Sequence, residues 1–251
     1  MKPSFLGHEK ILLTAMIQAA TPERAIELMQ LSHADGCDAF GVQPCHMTQA
    51  DRTPENYRRI YAAAEGKPIY VTNYRTGSNT GQTDEELAEE MLRMVAAGAT
   101  LCDVMGDYYC PTPGELTDDP AAIEKQKKLV ERIHAAGAEV LMSSHVMKYT
   151  PAERVVEIAL AQQARGADIA KIVTFANSEA EEMENLRITT LLKQELKIPF
   201  LFLSGGECHR HRRLGGILGN CMVLCVQQYD ELATPAQPLL TRMQGILAHW
   251  E

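Results

Sequence analysis

A single (β/α)8 barrel over residues 1–251 is the fold this α/β sequence predicts, and three observations predict it. Short apolar runs alternate with longer helical patterns from one end of the chain to the other. Eight such runs occur at fairly even spacing, each followed by enough chain for one βα unit. The runs are apolar on both faces, as parallel strands buried under helices must be. No Ser/Gly linker, composition break or low-complexity segment divides the chain. A doubly wound open sheet is the structural alternative, but no G-x-G-x-x-G follows the first run.

The elements follow in order. ILLTAMI (11–17) is the first strand. Lys2 ahead of an apolar stretch resembles a secretory leader, but Glu9 and Lys10 interrupt it and the stretch is short, so it reads as structure. Thr21-Pro22-Glu23 then starts a helix, with Thr at N-cap and Pro at N1. CDAFGV (37–42) is the second strand, and Thr53-Pro54-Glu55 starts the next helix. PIYVTNY (68–74) and TLCDVM (100–105) are the third and fourth strands, with a helix ending at Ala97-Gly98 between them. Ala136-Gly137 leads into EVLMSSH (139–145). Thr150-Pro151-Ala152-Glu153 reads as a capping box with Glu153 at N3. Arg165-Gly166 precedes DIAKIVTF (168–175), and PFLFLS (199–204) and CMVLCV (221–226) complete the set. Thr234-Pro235-Ala236-Gln237 reads as a second capping box, with Gln237 at N3.

Composition narrows the function. Hydrophobic residues make up 45% of the chain, enough for a core and too many for a disordered segment. Lys+Arg number 24 against 33 Asp+Glu, a net charge of −9 that repels nucleic acid and anionic membranes. No apolar run is long enough to cross a membrane. The seven cysteines have no close paired spacing and several fall inside strand runs, which suits buried thiols in the cytoplasm. A homodimer is kept as a candidate assembly.

Barrel enzymes place their chemistry at the C-terminal ends of the strands. Those ends carry Gln43 and Cys45, then Arg75, then Met105 and Asp107, then His145. Lys171 interrupts the sixth strand, where a charged side chain is costly unless it has a role. An amine held away from water there can attack a ketone to form a Schiff base. His145, on the preceding strand, is a candidate acid–base group. The bland readings are that Lys171 snorkels outward to the helices and that His145 is a satisfied polar residue. After the seventh strand comes Glu207-Cys208-His209-Arg210-His211-Arg212-Arg213. It reads as an anion-binding loop; adjacent ligands on one loop seldom close a metal site, and no metal or cofactor is expected. Phe40, Tyr74, Tyr108, Tyr109 and Tyr149 fall near strand ends and suit packing at the rim.

The run VLMSSH with a TP helix start behind it, then GADIAKI, an Arg-Leu-Gly loop and a TPAQ segment, resembles type I 3-dehydroquinate dehydratase. That family belongs to the shikimate pathway of aromatic amino acid biosynthesis. The resemblance implies Lys171 as the imine-forming lysine and His145 as the proton-shuttling histidine. It implies Arg213, with Arg212 as close competitor, for the substrate carboxylate, and Gln237 and Arg75 as further substrate contacts. The departures are as informative. The family's Glu-x-Arg pair on the second strand, which reads substrate hydroxyls, is Ala39-Phe40-Gly41 here. The family's histidine-orienting glutamate on the fourth strand is Met105, and Asp107 is the substitute that spacing suggests. The serine before the family's Pro-x-Gln is Ala233 or Thr234 here.

The expected activity is a Schiff-base lyase that removes water from a carboxylate-bearing β-hydroxy ketone, 3-dehydroquinate or an altered substrate. Class I aldolase-like carbon–carbon cleavage and a non-catalytic metabolite-binding barrel are the alternatives. If the chain is inactive on 3-dehydroquinate and Met105→Glu with Gly41→Arg restores turnover, the lysine–histidine pair is intact and only its surroundings have diverged.

Overall fold

The computed structural model describes residues 3–208 and 210–249. Eight strands appear where the apolar runs predicted them: β1 (Leu12–Ile17), β2 (Ala39–Val42), β3 (Ile69–Thr72), β4 (Leu101–Met105), β5 (Glu139–His145), β6 (Ile169–Phe175), β7 (Phe200–Gly205) and β8 (Met222–Cys225). The helices α1 (Pro22–Ala34), α2 (Pro54–Ala62), α3 (Asp84–Ala97), α4 (Pro120–Ala135), α5 (Ala152–Ala164), α6 (Glu179–Glu195), α7 (Arg210–Leu218) and α8 (Leu240–Ala248) follow one per strand. Strand order is β7-β6-β5-β4-β3-β2-β1-β8, with β1–β2, β2–β3, β3–β4, β5–β6 and β6–β7 pairing in parallel. This is the (β/α)8 barrel class that the sequence predicted.

The chain divides into two compact units. One gathers the residues up to Asp103, Ile133–Glu139, and those from Leu224 onward. The other takes Val104–Arg132 and Val140–Val223. In the first, Thr21 and Thr53 cap α1 and α2 as expected, accepting the Arg24 and Asn56 amides at 3.2 and 3.1 Å. In the second, Ala170 and Ile172 of β6 pack with Val155 and Ala159 of α5 and with Ile188 and Leu192 of α6. Side chains alternate along a strand, so Lys171 and Val173 point to the face away from those helices. Beyond β7, Asn220 accepts the Phe202 N–H at 2.8 Å and donates to the Phe202 carbonyl at 2.9 Å, pairing with the strand as another strand would.

Both expected capping boxes are absent. Pro151, not Thr150, is the N-cap of α5, and Thr150 donates its hydroxyl back to Lys148 O at 3.2 Å. The buried Ala152 amide is satisfied from α6 instead, by Glu184 at 3.1 Å. No helix begins at Thr234. The Gln18 side chain at the end of β1 donates to Thr234 Oγ1 at 2.8 Å and accepts its N–H at 2.9 Å, so residues 234–237 form a turn and α8 starts at Leu240. A tertiary amide contact has displaced the local cap in each case.

Candidate active site

β5 and β6 bring Lys171 and His145 together. Their register sets Ser143 opposite Lys171 and His145 opposite Val173, so Ser143, His145 and Lys171 share one face of the sheet. Lys171 is 3% exposed. The outward, snorkelling orientation does not occur, because its neighbours Ala170 and Ile172 take the helix-facing side. Gln162 of α5 fastens the two strands, donating to Ser144 Oγ and to Lys171 O at 3.0 Å each.

His145 is held by Glu115, a residue to which sequence reasoning gave no role. Its Nδ1 lies 2.6 Å from Glu115 Oε2, and its backbone N–H donates to the same oxygen at 3.1 Å. Asp107, the substitute that spacing suggested, is buried and its carboxylate accepts the Thr112 amide at 2.7 Å. The carboxylate bonded to Nδ1 is that of Glu115, thirty residues away and on the loop between β4 and α4. Met105 is buried and brings no polar atom to the position of the family's orienter.

In α7 the arginines part. Arg213 is exposed. Arg212 is half-buried, its Nε is out of water with no hydrogen-bond partner, and burial pushes the guanidinium pKa down to about 10. A buried guanidinium donor without an acceptor is where an anion is most strongly favoured. Of the two, Arg213, which the sequence put first, is the solvated one and Arg212 the desolvated one. Arg210 is committed to Glu182, whose carboxylate takes both its amide, at 2.7 Å, and its Nε, at 2.5 Å. His211 is buried against Phe202 and bonds Thr189 Oγ1 at 2.8 Å, so it is a core residue. His209 lies outside the described residues. Among those that are described, no group of three His, Cys, Asp or Glu could hold a metal ion.

Gln237 and Arg75 belong to the other unit. Gln237 is 5% exposed, and its Oε1 is buried without a partner, which no capping role explains. Arg75 has its fork on Asp84 at the start of α3, at 2.7 and 2.8 Å, so it is a paired cation there. The side where the family reads hydroxyls is filled. A Cβ on Gly41 would meet Met16 Sδ at 2.2 Å and Tyr70 Cδ1 at 3.1 Å, so any side chain there requires the Met16 thioether and the Tyr70 ring to move. Tyr70 and Tyr74 both donate to Asp103 Oδ2, the second at 2.5 Å. Burial and the neighbouring carboxylate raise both phenol pKa values well above the ordinary range. Of the aromatics expected at strand ends, Phe40 and Tyr108 are fully buried and Tyr149 is exposed. None of the seven cysteines is in a disulfide, and Cys37, Cys45, Cys102 and Cys225 are buried.

Known proteins supply the context. The type I 3-dehydroquinase family model matches residues 14–250. A 3-dehydroquinate dehydratase from Klebsiella pneumoniae (strain 342) is 27% identical over 221 residues, covering 84% of this chain and 82% of that protein. The crystal structure of 3-dehydroquinate dehydratase from Geobacillus kaustophilus HTA426 superposes with a TM-score of 0.81 at 15% identity, covering 96% of this chain and 91% of that one. The enzyme from Enterococcus faecalis superposes with a TM-score of 0.77 at 18% identity, covering 98% and 96%. The type I enzyme from Clostridium difficile, solved with covalently modified comenic acid, gives 0.80 at 16% identity, covering 96% and 93%. With a family match over nearly its whole length, a barrel of the same class and a lysine and histidine on adjacent strands, the chain belongs to the type I 3-dehydroquinase family.

Proposed function

We propose that this chain is a Schiff-base hydro-lyase acting on a carboxylate-bearing β-hydroxy ketone. The observation that carries the reading is the buried Lys171 on β6, sharing a face with His145 on β5. In the proposed reaction the Lys171 amine adds to the ketone and water leaves, forming an iminium that acts as electron sink. His145 removes a proton from the adjacent carbon, and the electron pair moves into an enamine. The enamine then expels the β-hydroxyl, which takes the histidine's proton and departs as water. Hydrolysis of the remaining iminium releases the unsaturated ketone and the free amine. Arg212 is the proposed anchor for the carboxylate, and the unpartnered Oε1 of Gln237 is the proposed acceptor for a substrate donor. Arg75, already paired with Asp84, is a weaker candidate for substrate contact.

The substrate is proposed to carry fewer ring hydroxyls than 3-dehydroquinate. Ala39 and Gly41 offer no side-chain hydrogen bond, and Met16 and Tyr70 occupy the space beside Gly41. A hydroxyl desolvated against such a wall without a partner costs about 1–3 kcal/mol. An arginine at Gly41 in the paired variant Met105→Glu with Gly41→Arg would require Met16 and Tyr70 to shift.

Borohydride reduction in the presence of 3-dehydroquinate and of less hydroxylated keto acids tests the reading. A mass adduct on Lys171, absent in Lys171→Met, with loss of water from the released product, is the expected result. Cleaved fragments among the products would identify aldol chemistry. The absence of an adduct with every ketone would leave a binding barrel and overturn the proposal.

A further inference from the structure

We propose that Glu115 is the positioning residue for His145, so that the acid–base group is assembled by the loop between β4 and α4 and not by a barrel strand. The inference rests on the Schiff-base reading for its consequence in catalysis, but the geometry stands by itself. Glu115 Oε2 is 2.6 Å from His145 Nδ1, and a carboxylate can only accept there. The neutral ring must then carry its proton on Nδ1, which leaves Nε2 as the basic nitrogen.

The loop is built to hold that carboxylate. Gly106 at its start lets the backbone come close, since a Cβ there would lie 2.6 Å from Glu115 O and 3.1 Å from Ser144 Oγ. Ser144 on β5 donates to Glu115 O at 2.7 Å, so strand and loop are tied beside the imidazole. Arg165, buried at the end of α5, donates to Gly106 O at 2.7 Å and to Thr117 O at 2.6 Å, strapping the two ends of the loop. Gln126 of α4 adds bonds to Gly106 O and Tyr108 O at 3.1 and 3.0 Å. Glu115 itself has φ of 51°, the left-handed region that a non-glycine residue occupies only when its surroundings over-determine it. With Met105 in the strand, the carboxylate at His145 comes from this loop.

The test is the tautomer of His145, read from imidazole nitrogen shifts in protein labelled with nitrogen-15. The wild type should hold the proton on Nδ1. Glu115→Met should lose that tautomer, and Glu115→Gln, which keeps a neutral acceptor, should retain it. On whichever ketone traps Lys171, Glu115→Met should lower kcat at least about tenfold with KM unchanged. A wild-type ring protonated on Nε2 would overturn the proposal even if no variant folded. So would a Glu115→Met protein that keeps the Nδ1 proton. Failure to trap Lys171 with any ketone would count against the reaction but not against this contact.

Discussion

Arg212 and Arg213 are adjacent in sequence and opposite in surroundings. Arg213 is solvated, whereas Arg212 has a buried Nε with no acceptor and a pKa lowered by desolvation. Binding an anion relieves Arg212 and changes little for Arg213. Arg212→Ala should therefore weaken carboxylate ligands by about 1.5–3 kcal/mol, roughly tenfold to a hundredfold in Kd, while Arg213→Ala leaves Kd unchanged. Arg212→Lys should recover only part of the loss, because a point charge lacks the guanidinium fork. Calorimetric titration with the keto acid that labels Lys171 measures both, and an effect of Arg213 alone would reverse the assignment.

At the scale of elements, the loop between β4 and α4 depends on a buried cation with no carboxylate bonded to it. The Arg165 fork is satisfied by Gly106 O, Thr117 O and Gln126 Oε1, at 2.7, 2.6 and 3.0 Å. Lysine has the charge but cannot reach acceptors at both ends of the loop together. Arg165→Lys should cost about 1.5–3 kcal/mol in denaturant unfolding and speed amide exchange across residues 106–117. Exchange confined to global unfolding in the variant would show that the strap is dispensable. The same scale explains the two lost capping boxes. Thr150 and Thr234 have the right neighbours in sequence, yet Glu184 and Gln18 reach across from other elements and satisfy the groups a cap would serve.

For the whole molecule, acid stability follows from His211. Desolvation beside Phe202 lowers its pKa to about 4, so the folded protein keeps the ring neutral where an unfolded chain binds a proton. The unfolded histidine has a pKa near about 6.5. Stability from this residue is full above that value and is lost as pH falls toward about 4, up to about 3 kcal/mol in all. Thermal melts between pH 7 and 4 should show this loss, and His211→Gln should flatten it. An equal slope in the variant would place the acid lability elsewhere.

Fold class and strand positions were legible because they depend on local pattern. An apolar run between turn residues is a buried parallel strand wherever it lies, and β1 to β8 fall on the runs identified, only β7 extending one residue beyond, to Gly205. The positions of His145 at the end of β5 and Lys171 inside β6 were legible for the same reason, since a strand's end and a charge inside an apolar run are local facts. The remaining features depended on contacts between distant residues. Glu115 meets His145 across thirty positions, through a loop that Arg165 straps from another helix. The choice between Arg212 and Arg213 turns on the helical phase of α7, which its packing sets. The crowding beside Gly41 comes from Met16 and Tyr70 on the neighbouring strands. Local sequence determined the barrel and the placing of His145 and Lys171 on adjacent strands, because backbone propensity and burial pattern act over a few residues; only tertiary structure decided that Glu115 meets His145, that Arg212 and not Arg213 is desolvated, and that Met16 and Tyr70 crowd Gly41, because those contacts join residues that are distant along the chain.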